Sequence, residues 1–100
     1  MLINKEKFHE EEFFDENFFL YLENNDLCLR MKKKDHKIYI IKNSTIDHLG
    51  GISTDKLLFN ETEYLRHWHW MWSKFYFNKK HYGYLNAFNK VFLNFLSAML

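Results

Sequence analysis

Apolar and polar positions change their rhythm near residue 60. Beyond it, Leu65, Trp68, Trp72 and Phe75 recur at three- and four-residue steps, flanked by Tyr64, Met71 and Tyr76. At ~100° per residue these positions make one broad apolar face, so the spacing predicts a helix from Asn60. Trp70 and Phe77 fall on the other side, near Arg66 and Ser73, and give the same helix a second greasy patch. Lys79, Lys80 and His81 suit its carboxyl end, and Gly83 is its stop. Residues 84–100 predict a second amphipathic helix. Tyr84, Leu85, Phe88, Val91, Phe92, Phe95, Leu96 and Met99 share one face, and Asn86, Asn89, Lys90, Asn94 and Ser97 lie opposite, with Leu93 the exception.

The first sixty residues read differently. Met1–Asn4 resembles a strand end, and the charged stretch 4–12 a short helix capped by Asn4. Residues 13–23 mix aromatics with acids and predict a loop leading into a buried segment. A helix follows from Asn25 to Lys34, capped by Asn24 or Asn25, with Asp26 in its first turn. Its Leu27 and Met31 lie one turn apart and face the core. The run "KIYIIK", residues 37–42, is β-branched and aromatic on both alternating faces, as in an inner strand of a sheet covered on both sides. "TIDHLGG", residues 45–51, predicts a short extended segment ending in a Gly50-Gly51 loop.

Composition narrows this picture modestly. Of 100 residues, 47% are apolar and 20% aromatic, enough for the core of one small domain. The formal charge of +1 argues against a nucleic-acid partner held by charge. The charge is segregated, however: eight acids fall within residues 1–26, and six bases within residues 30–42. Cys28 stands alone, which excludes an internal disulfide and a cysteine-based zinc site. No signal peptide opens the chain, and no apolar run reaches the ~18–20 residues of a transmembrane span.

The candidate chemistry lies in two places. Glu23 and Asp26 stand three residues apart at the junction of a buried run and a helix start. Acids there serve as helix-terminal charges worth ~0.3–1 kcal/mol, or as a general base at the edge of an α/β crevice. His48, at a strand end beside the glycines, is a structural or surface residue or a ligand. His67 and His69, two apart on a helix, do not share a face and do not chelate one metal together. The stretch 66–84, "RHWHWMWSKFYFNKKHYGY", combines aromatics with bases. Trp68 and Trp72 are assigned to packing, and Trp70 and Phe77, with Lys79 and Lys80, to a membrane-interface or acceptor surface.

In their order, "MLINKEKF", "FFDENFFLYLENNDLCLRMKKKDHKIYIIKNSTIDHLGG" and the tryptophan-rich stretch resemble the C-terminal half of bacterial family-2 glycosyltransferases of the rhamnosyltransferase-like kind. The match covers nearly the whole chain, and its middle block is the most specific. The resemblance implies an α/β fold, the C-terminal part of a Rossmann-like GT-A domain over residues 1–58, with a helical tail over 59–100. It implies inverting transfer of a sugar from a nucleotide-diphosphosugar to the hydroxyl of a glycan or lipid-linked acceptor. That chemistry belongs to cell-surface polysaccharide synthesis in the cytoplasm, at the inner face of the bacterial membrane. Carried over residue by residue, it makes Glu23 and Asp26 the candidate bases, His48 a ligand to the metal or diphosphate, and Gly50-Gly51 the donor loop. The full-length enzyme would use a divalent cation, Mg²⁺ or Mn²⁺, with none expected on this fragment. Two departures stand out. Asn24 occupies the position where the family often carries its catalytic Asp, and the chain contains no Asp-x-Asp motif. The expectation is therefore a C-terminal fragment, inactive alone, that opens at an internal methionine. The alternative is a non-catalytic peripheral membrane or protein-interaction module built on residues 60–100.

Overall fold

The structure is a computed structural model and describes residues 1–8, 13–49 and 59–100. Among these residues lie a 3₁₀ turn at Lys5–Lys7 and three α-helices: α1 (Glu23–Lys33), α2 (Phe59–Tyr82) and α3 (Tyr84–Met99). No strand occurs among the described residues. The expected α/β, Rossmann-like architecture is thereby overturned in favour of a small helical fold. The reason is visible at residues 37–42. Their composition suits a buried strand, but a strand needs a neighbour for its backbone groups, and among the described residues it pairs with none. Ile38, Tyr39, Ile40 and Ile41 instead run over the surface, Ile40 90% exposed.

Helix α1 begins two residues before the predicted Asn25. Asn24 and Asn25 lie inside it and cap nothing; Leu22 is its N-cap and offers no side-chain cap. Tyr21 and Leu22 both take left-handed backbone conformations (φ 68° and 64°), a costly choice for bulky side chains. Tertiary contacts hold this turn: the Tyr21 ring meets Trp70 edge-on at 5.6 Å, and the Leu20 carbonyl accepts the Ser73 hydroxyl. At its far end α1 closes in a Schellman motif. The His36 N–H donates to the Met31 carbonyl at 3.0 Å and the Asp35 N–H to Lys32 at 3.1 Å, with Asp35 left-handed (φ 60°) where glycine is usual. Leu27 and Met31 are buried, as their one-turn spacing predicts. Asn4 caps the 3₁₀ turn, its Oδ1 accepting from the Glu6 N–H at 3.1 Å.

Helices α2 and α3 form a hairpin broken at Gly83. There φ is +91° and ψ 169°, a region all but reserved for glycine. The break falls where the sequence places it, and Ala87, one turn beyond, is fully buried. Its small side chain lets α3 lean closely on α2. Tyr84 meets Phe75 edge-on at 5.8 Å, with the Lys79 ammonium 4.8 Å over the Tyr84 ring.

The rotation of α2 divides its aromatic residues differently from the sequence reading. Leu65, Trp68 and Trp72 are exposed, Trp68 by 61%, while Met71, Phe75 and Tyr76 of the same predicted face are half-buried. On the other side Ser73 is fully buried and Phe77 half-buried, and Trp70, 42% exposed, meets Tyr21 edge-on.

Candidate functional site

Inward rotation of α2 brings its carboxyl end over α1 and residues 13–18. Asp26, in the first turn of α1, is 0% exposed, and three basic side chains converge on its carboxylate. The Arg30 Nε donates to Oδ2 at 2.9 Å from one turn further along α1. The Lys80 ammonium spans both oxygens, at 2.9 and 3.1 Å, and the His81 Nε2 lies 2.7 Å from Oδ1. On the other edge of the imidazole, the Lys33 ammonium sits 3.1 Å from Nδ1. An ammonium can only donate, so Nδ1 accepts and Nε2–H donates to Asp26.

Lys80 reaches a second carboxylate. Its Nζ donates to Asp15 Oδ2 at 2.8 Å, and the Tyr76 hydroxyl donates to the same oxygen at 2.8 Å. Asn17 supplies its backbone N–H (3.0 Å) and side-chain amide (2.8 Å) to Asp15 Oδ1. Arg30 also donates to the Phe13 carbonyl at 2.6 Å, and Trp72 Nε1 to the Asn17 carbonyl at 3.3 Å. Phe18 lies edge-on to Tyr76 at 4.9 Å, sealing the network on its apolar side.

The electrostatics follow from this geometry. Burial pushes the Asp26 carboxyl up, but hydrogen bonds from Lys80, His81 and Arg30 together outweigh it and hold the group below the ordinary carboxylate range. Asp15 behaves alike: burial raises it, while Lys80, the Asn17 N–H and Tyr76 lower it further, and it ends well below that range. Burial works against the charged Lys80, yet its bonds to Asp15 and Asp26 leave its ammonium harder to deprotonate than usual. Burial and then Asp15 raise the Tyr76 hydroxyl. A carboxylate so firmly ionised and so fully paired is poorly suited to accept a substrate proton. Asp26 is instead a junction between α1 and α2.

Glu23 has a different setting. As the first residue of α1 it is half-buried, and its Oε2 is shielded from solvent without a hydrogen-bond partner. Shielded carboxylate oxygens are normally paired, so this one stands out. Asn24 is exposed beside it.

The remaining predicted residues do not join this region into one site. His48 is exposed on an extended stretch. Gly50 and Gly51 lie outside the described residues. Among the described residues no three His, Cys, Asp or Glu side chains come together as a metal centre. These residues do not by themselves fit a divalent cation. Of the proposed surface residues, Trp70 is 42% exposed and Lys79 exposed, but Phe77 is half-buried, its ring centroid 4.8 Å from that of His81. Lys80 is committed to Asp15 and Asp26.

Sequence reasoning missed Lys80 and His81 as partners of Asp26, and Asp15 and Tyr76 as the second half of the network. The available signal was the segregation of charge. Residues 64–100 contain Arg66, Lys74, Lys79, Lys80 and Lys90 but no acid, while acids crowd residues 1–26.

Beside α1, an open groove of about 850 Å³ runs between residues 1–8 and 35–44, lined by Leu2, Phe8, Leu27, Cys28, Met31 and Tyr39 among others. Comparison of the chain with protein-family models, curated protein sequences and solved structures gives no match to any of them.

Proposed function

We propose that these residues carry the acceptor-side acid of an inverting sugar transferase, and that Glu23, not Asp26, is that acid. The observation behind it is the division of labour within the motif "ENND", residues 23–26. Asp26 is fully paired with Arg30, Lys80 and His81, whereas Glu23 keeps a shielded carboxylate oxygen without a partner at the start of α1. The ordered resemblance of the surrounding stretches supplies the reaction class. The fold does not supply it.

In this reading the acceptor hydroxyl loses its proton to Glu23 as its oxygen attacks the anomeric carbon. The bond from that carbon to the diphosphate breaks, and the nucleoside diphosphate departs with the electron pair. Asp26 holds α1 against α2, so that Glu23 is presented from a fixed helix end. No Asp-x-Asp motif occurs in the chain, so this reading assigns these residues no part in binding the nucleotide. No step passes through a metal held here. The acceptor is a glycan or lipid-linked glycan of the cell surface, met on the cytoplasmic side of the membrane.

The test is transfer of labelled sugar from a panel of uridine-, guanosine- and thymidine-diphosphate sugars by the full polypeptide that includes these residues. Glu23→Gln should lower kcat by about 10²–10⁴-fold with an unchanged melting temperature. Absence of transfer with Glu23 intact, or full activity in Glu23→Gln, defeats the reading.

A further inference from the structure

Helix α3 touches α2 with its narrow side. Ala87 is buried and Val91 and Asn94 are half-buried, and at ~100° per residue these three fall on one stripe. The broad apolar arc points away. Leu85, Phe88, Phe92, Phe95, Leu96 and Met99 are all exposed, Leu85 by 83%. Phe88 and Phe92 stack on each other at 5.6 Å, with no other ring against them among the described residues. A chain of ring contacts, Tyr84 to Phe75 at 5.8 Å and Phe75 to Trp72 at 6.4 Å, carries this arc on to exposed Trp72 of α2.

Charge selects the occupant. From Tyr64 to Leu100 the chain has five bases and no acid. Asp15 and Asp26, the acids nearest the carboxyl end of α2, are tied up beneath Lys80. Exposed Lys79 stands at the hairpin bend beside Tyr84, at the edge of the arc. An apolar arc of Phe, Leu and Met, edged by Trp and Tyr, with a lysine at its rim and no acid from Tyr64 onward, is the chemistry of an interfacial helix on anionic lipid. No described helix is long and apolar enough to cross a membrane, which fits a helix lying in the interface plane.

We infer that the α2–α3 hairpin docks on an anionic phospholipid surface, inserting Leu85, Phe88, Phe92, Phe95, Leu96 and Met99 and setting Lys79 against headgroup phosphates. The inserting face is α3, not the Trp70–Phe77 stripe that the sequence alone suggests, because Phe77 is half-buried and Trp70 packs on Tyr21. The inference is independent of the sugar-transfer reading.

Vesicle sedimentation of the chain tests it, with phosphatidylcholine alone and with about one-third phosphatidylglycerol added. The chain should bind the anionic vesicles about tenfold or more tightly than the neutral ones, and the preference should fall with added salt. Phe88→Ser with Phe92→Ser and Leu96→Ser should lose binding about tenfold or more at unchanged helicity by circular dichroism. Lys79→Gln should narrow the anionic preference while keeping the fold. Failure to bind either vesicle overturns the inference, as does binding that the triple variant leaves intact. Self-association abolished by the triple variant, without vesicle binding, assigns the face to a second copy and overturns it equally.

Discussion

The junction between α1 and α2 and the outer face of the α2–α3 hairpin invert the usual arrangement. The junction is buried and charged: Asp15, Asp26, Arg30, Lys80 and His81 hold each other at 2.7–2.9 Å beneath Phe18 and Tyr76. The hairpin face is aromatic and exposed, with Trp68, Trp72, Phe88 and Phe92 turned outward. The difference teaches what sets the rotation of α2. A helix with aromatic residues on most sides has no strong preference for which side to bury. A buried carboxylate does have one, because leaving it without its cations costs several kcal/mol, more than exposing one or two rings. Asp26 therefore fixes which face of α2 goes in, and the aromatic face is left outward.

The comparison breaks most sharply at Asp26. Asp26→Ala removes the buried acceptor that Lys80, His81 and Arg30 share and should destabilise the chain by about 3–5 kcal/mol. Thermal melting followed by circular dichroism should show a fall of more than about 10 °C. A change in pH gives a graded version. The folded-state carboxyls of Asp15 and Asp26 lie below their unfolded values, so their contribution is fully present above about pH 4 and is lost as pH falls below it. Lys80 is raised instead, so its share is complete below about pH 10 and is lost as pH climbs through its folded value. Urea denaturation across pH should therefore give a plateau between two falling limbs, the acid one present near pH 3. On the hairpin face the expected effect on folding is smallest. Phe92→Ser should shift stability by no more than about 0.5 kcal/mol, measured by the same urea titration, since this exposed ring covers no buried group.

The helices were legible in the sequence because their signals are local. The three- and four-residue steps after Asn60, the glycine at 83 and the Leu27–Met31 pair each act within one or two turns, and each stands where expected. The sheet was not, because "KIYIIK" specifies what a strand would need on both sides and cannot supply the neighbours. The start of α1 was also misread: Asn24 and Asn25 are good caps, but the left-handed turn at Tyr21–Leu22, held by Ser73 and Trp70, carries the helix past them. At the candidate site, the acids were legible as a pair and their roles were not. Asp26 finds Lys80 and His81 more than fifty residues away, and no local spacing announces such a contact.

The central claim is that Asp26 and Lys80 act on each other across the α1–α2 junction and so orient α2. A double-mutant cycle of Asp26→Asn and Lys80→Met, read by urea denaturation at neutral pH, tests it most directly. The account predicts a coupling of about 1–3 kcal/mol, with the double variant less destabilised than the two single losses combined. Purely additive losses would contradict it.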